Sequence, residues 1–233
     1  MRFERPLISA RLIRRYKRFL ADCELANGEH VTAHCANPGS MMNLTDPGTQ
    51  VWLEPNENPK KKLKFGWRLT QLGDHLVGVD TSVPNRILRH AFEARQVSEL
   101  AQYSIVKPEV RFGDHSRIDF LLTHPSHRDA YVEIKSVTLS RSATVAEFPD
   151  AVTARGTRHL NELTTIAKSG DRAVIFFLMQ RTDCSRVTVA TDIDPLYAAA
   201  LEQARLAGVE ILAYGTHITL SGIELSKRIP FDT

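Results

Sequence analysis

The sequence predicts two domains of different fold class, a small β-barrel over residues 1–82 and an α/β domain with a mixed sheet over residues 83–233. Three observations lead to this prediction. Short strand-like runs separated by turn residues fill the first domain. The pattern then changes to helical periodicity over residues 83–97. Beyond that segment, apolar strand-like runs alternate with helical ones, as they do in α/β folds.

The first domain has the strand and turn pattern of an OB-like barrel. Asn27-Gly28 indicates a hairpin in which RRYKRFLADCEL pairs with HVTAHCA. Turns at NPGS and DPGT follow, and QVWLEP, WRLTQL and HLVGVDT are further strands. Many short strands with a basic rim favour an OB-like barrel. The aromatic residues Tyr16, Phe19 and Trp67 are candidates for stacking on bases, with a place in the core as the alternative.

The second domain alternates strands and helices around a central apolar strand. VPNRILRHAFEARQV is a helix, and VKPEVRFG, SRIDFLLTH and YVEIKSVTL are strands, of which the last two form a hairpin. RAVIFFLMQR has the continuous apolar run of a central strand, and VEILAYGTHIT is another strand. One helix runs from about Val152 to Gly170. The next has Asp194 as its N-cap and Gly208 just past its end.

The composition indicates a cytoplasmic protein. Of the 233 residues, 42% are hydrophobic, which is enough for real cores, yet no apolar run is long enough to span a membrane. The N-terminal segment lacks the pattern of a signal peptide. Cys23, Cys35 and Cys184 are odd in number and form no CxxC pair, so we expect reduced thiols.

The net charge of +3 is unevenly distributed. Residues 1–82 contain 12 Lys+Arg against 9 Asp+Glu, whereas the rest of the chain is balanced. Clustered cations favour a polyanion, so we predict DNA as the partner and these clusters as its binding surface. A solvated basic face is the alternative. The clusters consist of Arg11, Arg14, Arg15, Lys17 and Arg18, and of Lys60, Lys61, Lys62 and Lys64.

The strand YVEIKSVTL carries the residues with the most distinctive chemistry. Glu133 and Lys135 share one face, because side chains alternate along a strand. Asp119 lies in the preceding strand and comes close to Glu133 if the two strands pair. Two carboxylates, with the main-chain carbonyl of Ile134, make an oxygen-rich site for Mg²⁺ or Mn²⁺. With Lys135 beside the ion, this set suits phosphodiester hydrolysis. A surface salt bridge between Glu133 and Lys135 is the alternative.

The helix that follows adds a polar face near this strand. Arg155, Arg158, His159 and Glu162 are spaced so that they lie on one side of the helix. We predict that Arg155, Arg158 and His159 contact nucleic acid there. A solvent-exposed face without function is the alternative.

At these residues the sequence resembles the sugar fermentation stimulation protein A family of bacteria and archaea. The resemblance spans nearly the whole chain. It rests on RRYKRFLAD, HCANPGSM, SRIDFLL, VEIKSVTL, FPDAVTARGTRHLNEL, RAVIFFLMQR and GVEILAY. It implies an N-terminal OB-like domain and a C-terminal domain similar to the restriction-endonuclease-like, PD-(D/E)xK, nucleases. It also implies DNA binding and a role in regulating genes of maltose and other sugar metabolism.

The resemblance places the nuclease-type motif on Asp119, Glu133 and Lys135, with Ile118 in place of the proline. In the helix at the domain boundary, the family often carries a glutamate before an alanine. Here that position is His90, and Glu93 follows one turn later. His90 and Glu93 are therefore further candidates for the metal site. In HCANPGSM, Ala36 and Pro38 stand where the family pattern has proline and threonine.

Two hypotheses of different class follow. One is a non-catalytic DNA-binding regulator of sugar metabolism genes with a nuclease-like metal site, which the resemblance favours. The other is an active Mg²⁺-dependent DNA endonuclease, which the Asp119–Glu133–Lys135 set favours. No aromatic-rich polar cluster supports a third hypothesis, sugar binding. The oligomeric state stays open, with a homodimer as one alternative.

Overall fold

The computed structural model of the chain describes residues 1–112 and 116–232. The first part of the chain forms a six-stranded sheet in the order β3-β2-β1-β4-β5-β6, and β3 also pairs in parallel with β5. Five strands thereby close into a barrel, which confirms the predicted OB-like fold. The strands are β1 (Ile8–Tyr16), β2 (Leu20–Leu25), β3 (His30–Cys35), β4 (Gln50–Pro55), β5 (Phe65–Leu72) and β6 (His75–Gly78).

The barrel confirms the hairpin at Asn27-Gly28, because β2 and β3 pair antiparallel across it. The prediction of RRYKRFLADCEL as one strand is wrong. Lys17 and Arg18 have φ angles of 49° and 62° and reverse the chain between β1 and β2. Of the three aromatic candidates, Trp67 is completely buried in the barrel core, where its Nε1–H donates to the Leu69 carbonyl at 3.0 Å.

The rest of the chain forms a mixed α/β domain, as predicted. Its main sheet has the order β15-β14-β12-β9-β8-β7, and a smaller sheet has the order β10-β11-β13-β16. The strands are β7 (Ile105–Phe112), β8 (Ser116–His124), β9 (His127–Val137), β10 (Leu139–Ser142), β11 (Thr144–Phe148), β12 (Arg172–Met179), β13 (Cys184–Val189), β14 (Glu210–Thr219), β15 (Gly222–Arg228) and β16 (Phe231–Asp232). The helices are α1 (Val83–Glu93), α2 (Ala154–Ser169) and α3 (Pro195–Leu206).

The ends of α2 and α3 are capped, and the prediction of Asp194 as an N-cap is confirmed. The Thr153 hydroxyl accepts from the Gly156 amide at the start of α2, and the Asp194 carboxylate accepts from the Tyr197 amide at the start of α3. Gly170 ends α2 in a left-handed conformation with φ 96°. Among the helices of the described ranges, none has the length and apolar character needed to cross a membrane.

The main sheet lies between two apolar cores, and this arrangement orients β9. Val132 and Ile134 pack on the side of α1, in a core that includes Phe92. The other core contains Leu160 of α2 and Tyr197 of α3. Because side chains alternate along a strand, the residues on either side of Ile134 point toward α2. Burial on both faces of the sheet thus sets the orientation of β9.

The barrel contacts the α/β domain through the loop after β3. The Ser40 hydroxyl donates to the Asp150 carbonyl at 2.7 Å, and the Met41 amide donates to the Asp150 carboxylate at 3.0 Å. A Cβ atom on Gly39 would lie 2.5 Å from that carboxylate, so the contact requires glycine. These residues belong to two of the motifs, HCANPGSM and FPDAVTARGTRH, that the sequence singles out. The contact thus joins the barrel to the α/β domain.

Candidate metal centre

Glu133 and Lys135 form a buried ion pair on β9. The two residues are 3% and 9% exposed, and Lys135 Nζ donates to Glu133 Oε1 at 2.8 Å. The alternative of a surface salt bridge is therefore wrong. Isolated buried charges cost several kcal/mol, so a buried pair on an otherwise apolar strand demands a structural or chemical reason.

Asp119 reaches the same site from the neighbouring strand. The antiparallel ladder of β8 and β9 ends with Phe120 opposite Val132, and Asp119 is the next residue of β8 beyond this pair, on the side of Glu133. There the Asp119 carboxylate accepts from the Ile134 amide at 2.7 Å and from Asn85 Nδ2 at 2.8 Å. Burial, together with the negative charge of Glu133, raises the pKa of Asp119 to about 6. Two carboxylates are thus held close together against their electrostatic repulsion.

His159 of α2 orients Glu133. Its Nδ1–H donates to Glu133 Oε1, and its Nε2 accepts from Arg155 Nε at 3.3 Å, so this chain of hydrogen bonds assigns the neutral tautomer. Burial alone would raise the pKa of Glu133, but the His159 hydrogen bond and the Lys135 charge more than offset it, and the net pKa is lowered. His159, which was predicted to contact nucleic acid, lines the metal cleft with its ring buried and hydrogen-bonded to Glu133, so the contact that the structure shows is with that carboxylate.

The second oxygen of Glu133 has a special position. Oε2 is buried and has no hydrogen-bond partner, although an unpaired buried carboxylate oxygen is costly. Glu133 belongs to the lining of a cleft of about 400 Å³, the metal cleft, which also includes Asp119, Ile134, Lys135 and Arg155. Carboxylate and carbonyl oxygens are the ligands of hard divalent ions, so this donor set fits Mg²⁺, Mn²⁺ or Ca²⁺.

Glu109 is a residue of the metal cleft that the sequence analysis missed. It lies on β7, where Pro108 pairs with Phe120 and Val110 with Ile118, so the register brings Glu109 opposite Asp119. Its φ of 52° is unusual for a residue other than glycine. Within the described ranges, no group of three Asp, Glu, His or Cys side chains is close enough together to hold a metal ion. In the sequence, the signal for Glu109 was its place directly after Pro108, in a segment otherwise expected to be a regular strand.

The candidates on α1 do not contribute to the metal cleft. Glu93 lies two turns, about 12 Å along the axis, from Asn85, the α1 residue that contacts Asp119. Glu93 instead pairs with Arg89 at 3.0 Å and lies 3.8 Å from His90. The prediction of His90 and Glu93 as metal ligands is wrong, because the helix presents both to solvent.

The predicted DNA-binding cations differ in their structural roles. Arg15 is used internally, since its guanidinium donates to the Asn37 and Gly39 carbonyls at 2.7 and 2.9 Å and so fixes the loop that contacts Asp150. Arg14 pairs with Asp22 at 2.9 Å, and Arg158 lies 3.9 Å from Glu162. Other side chains of the predicted set remain exposed; they are Arg11, Lys17, Arg18, Lys60, Lys61, Lys62, Lys64 and Arg155.

Arg15→Ala is expected to lower the free energy of unfolding by about 2–3 kcal/mol, because the variant cannot form the charged hydrogen bonds to several loop carbonyls. Arg14→Ala is the control; its exposed ion pair contributes about 1 kcal/mol or less. Chemical denaturation of both variants provides the measurement. Equal stability of the two variants would contradict a structural role for Arg15.

Comparison with known proteins agrees with this architecture. The SfsA N-terminal OB domain matches residues 13–79, and the sugar fermentation stimulation protein RE domain matches residues 82–222. The chain is 62% identical over 230 residues to a sugar fermentation stimulation protein homolog of Ruegeria pomeroyi, covering 98% of this chain and 100% of that protein. It is 60% identical to the homolog of Roseobacter denitrificans, with 99% of each chain covered.

A solved structure of a relative covers the whole chain. The structure of Pyrococcus furiosus SfsA in complex with Ca²⁺ superposes with a TM-score of 0.90 at 29% identity, covering 100% of this chain and 98% of that one. The barrel, the mixed sheet and the order of the two domains are therefore shared with a solved protein. On these matches, the chain belongs to the sugar fermentation stimulation protein family.

Proposed function

We propose that this chain is a DNA-binding protein whose metal cleft hydrolyses phosphodiester bonds with Mg²⁺ or Mn²⁺ held by Asp119 and Glu133. The observation that carries the proposal is the buried, unpartnered Oε2 of Glu133 in a cleft that also contains Asp119 and Lys135. Two close carboxylates repel a polyanion unless a cation neutralises them. A cleft that binds DNA with two carboxylates in its lining therefore needs a divalent ion to offset their negative charge.

The residues of the cleft have separable roles in this proposal. A bound divalent ion would supply Lewis acidity toward a phosphate oxygen and a lower pKa for water. Asn85 and the Ile134 amide hold the Asp119 carboxylate in place through hydrogen bonds. His159 fixes Oε1 of Glu133, which leaves Oε2 available for the ion. Lys135 places a positive charge next to the site, where charge builds up on phosphate during hydrolysis.

The comparison with the Pyrococcus furiosus relative supports a divalent ion at this fold. That protein was solved in complex with Ca²⁺. Ca²⁺ and Mg²⁺ both prefer oxygen ligands, and the described donors of the metal cleft are oxygens. The relative therefore supports a divalent ion as a class, and the choice of Mg²⁺ or Mn²⁺ rests on the proposed chemistry.

The second candidate is a regulator of sugar metabolism genes, including those of maltose, that binds DNA in the cytoplasm without cutting it. The observation that favours it is the name shared by the relatives, sugar fermentation stimulation protein. In this case, an ion held by Asp119 and Glu133 would offset the charge of a phosphate, and the metal cleft would contribute to binding alone. Both candidates require DNA and a divalent ion, and they differ in turnover.

A nuclease assay separates the two candidates. Labelled single- and double-stranded DNA is incubated with the protein in Mg²⁺, Mn²⁺, Ca²⁺ or EDTA, with Asp119→Asn as the control for contaminating nucleases. The proposal expects cleavage in Mg²⁺ or Mn²⁺ that EDTA and the substitution abolish. Metal-dependent binding without cleavage under any condition would contradict hydrolysis and support the regulator. Cleavage that Asp119→Asn retains would mean that the metal cleft is not the active site.

The exposed lysines between β4 and β5 provide a test of DNA binding. Replacing Lys60, Lys61 and Lys62 by Gln is expected to flatten the log–log dependence of duplex affinity on salt by about 0.9 for each phosphate that these lysines neutralise. The control replaces three other exposed lysines by Gln, namely Lys107, Lys168 and Lys227. Fluorescence anisotropy over a salt series provides the measurement. The same slope in both triple variants would rule out this segment as the binding surface.

A further inference from the structure

Phe19 is one of the three aromatic candidates for base stacking, and it contributes to neither the barrel core nor the metal cleft. It is 45% exposed, and it is the one aromatic among the exposed large hydrophobic residues of the described ranges. Its ring stacks on that of His34, with centroids 6.5 Å apart and planes 18° apart. We call this pair, Phe19 and His34, the aromatic platform. The ring of Phe19 is thus near that of His34 and almost half exposed to solvent.

The turn that carries Phe19 has a conformation that costs free energy. Lys17 and Arg18 are consecutive left-handed residues other than glycine, a conformation that is unfavourable for residues with a Cβ atom. The turn is fixed from within, because Arg15 Nε donates to the Arg18 carbonyl at 3.0 Å. Such strain persists where the surrounding structure imposes it, and it occurs most often at functional sites.

The aromatic platform lies between two clefts that flank the metal cleft. A cleft of about 660 Å³ at the domain junction is lined by Arg18 and shares Lys135 and Arg155 with the metal cleft. A second cleft of about 620 Å³ on the barrel is lined by His34 and shares Ser82 with the metal cleft. The aromatic platform thus adjoins two clefts, each of which shares lining residues with the metal cleft.

The charge around the aromatic platform is complementary to a phosphate backbone. Exposed cations stand on both of its sides: Lys17 and Arg18 in the turn, and Lys61, Lys62 and Arg86 around the barrel cleft. The two buried carboxylates of the barrel cleft, Glu54 and Asp80, pair with Arg68 at N–O distances of 2.7 and 2.5 Å, and Arg86 lies 3.9 Å from Asp80. An aromatic ring framed by cations is the arrangement that binds single-stranded nucleic acid.

We infer that the aromatic platform stacks an unpaired base, so that the strand delivered to the metal cleft is single-stranded. In a duplex, each base face is covered by its neighbours, and an exposed ring finds a partner only where a base is unpaired. The inference rests on the proposed function and deepens it by naming the substrate class. It concerns binding, so it can be tested without metal or turnover.

The test compares the affinities of Phe19 variants for an oligothymidylate and for a duplex of equal length, in EDTA. Phe19→Ala is expected to weaken oligothymidylate binding about 5- to 150-fold, since stacking on one base contributes about 1–3 kcal/mol. Duplex affinity and the salt dependence of both affinities should stay unchanged, because no charge is removed. Phe19→Trp should keep the single-strand affinity. Leu206→Ala, which truncates a residue that is 66% exposed on α3, is the control.

Several outcomes would overturn the inference. Phe19→Ala with wild-type affinity for oligothymidylate would mean that no base stacks there. An equal loss of affinity for both DNAs would assign Phe19 to general binding. A dimer that Phe19→Ala converts to a monomer in light scattering would assign the ring to an interface between copies. Wild-type protein that binds neither DNA in EDTA would overturn this inference, and an absence of binding in Ca²⁺ as well would also overturn the proposed function. A selective loss of affinity for single strands, in a protein that never cleaves, would uphold this inference and overturn hydrolysis alone.

Discussion

Asp119→Asn is expected to abolish divalent-ion binding while it stabilises the metal-free protein. With saturating Mn²⁺ at about 100 times the dissociation constant, the wild type should gain about 2.7 kcal/mol of stability, and the variant should gain none. In EDTA, the variant should be more stable than the wild type by about 1–3 kcal/mol, because the raised pKa of Asp119 means that folding disfavours its charge. Few substitutions remove the stabilisation by a divalent ion and at the same time raise the stability of the metal-free protein.

The stabilisation in EDTA has a defined pH dependence. The pKa of Asp119 rises from 3.8 to about 6 on folding, so the wild type has its full share of stability from this group below pH 4 and loses it as the pH rises through 6. The advantage of the variant should be absent near pH 4 and complete near pH 7. Denaturant titrations at these pH values provide the measurement. The Asn85 amide is able to flip to match asparagine, so the hydrogen bonds are preserved.

A variant that still gains stability from Mn²⁺ would show that the ion binds elsewhere. A variant that is less stable than the wild type at pH 7 in EDTA would mean that folding stabilises Asp119 as an anion, opposite to the effect of its burial beside Glu133. Asp183→Asn is a suitable control, because Asp183 pairs with Arg181 and its pKa is lowered. That substitution should destabilise the protein at pH 7 and leave the effect of Mn²⁺ intact.

Lys135→Met is expected to lower the rate of DNA cleavage by about 100- to 1,000-fold, the usual loss when one preorganised charge is removed from a transition state. DNA affinity should change little, because the exposed cations lie elsewhere on the surface. The metal-free variant should also lose roughly 2 kcal/mol of stability, since His159 alone then compensates the buried charge of Glu133. Single-turnover cleavage at saturating enzyme provides the rate.

Lys168→Met is the matched control for this prediction, because Lys168 is exposed near the end of α2 and should affect neither rate nor stability. Lys135→Arg keeps the charge with a different geometry and should retain an intermediate rate. If Lys135→Met cleaves as fast as the wild type while remaining folded, Lys135 serves only to balance the charge of Glu133. The hydrolytic mechanism would then need another cation at the transition state.

The smaller sheet of the α/β domain shows where sequence patterns are insufficient. β10, β11 and β13 are short, and their residues are mostly half-buried or exposed, so they lack the apolar run or the strict alternation that predicts a strand. β11 and β13 pair in parallel, although 35 or more residues of the chain lie between the paired positions. Contacts of this kind depend on the packing of α2 and β12 between them, which local composition does not encode.

The residues of the metal cleft also divide into those that sequence patterns predict and those that they do not. Asp119, Glu133 and Lys135 were predictable because alternation along β9 and the hairpin with β8 place them together whatever surrounds the sheet. Glu109 was not, because its role depends on the register of a third strand and on an unusual φ angle. His90 and Glu93 were wrong because the family resemblance located them by motif position, whereas tertiary packing decides which point along the axis of α1 meets β8.

The sequence by itself determined the two-domain order, the barrel, the central strand and the carboxylate pair, since these follow from periodicities of one strand or helix and from turn residues. Only the tertiary structure decided that Glu133 is buried with one oxygen free, that Arg15 supports a loop and that Phe19 faces solvent beside His34. The physical reason is that burial and hydrogen-bond partners belong to pairs of residues distant in the chain. A local pattern fixes which way a side chain points, and the packing of the other elements fixes what it meets.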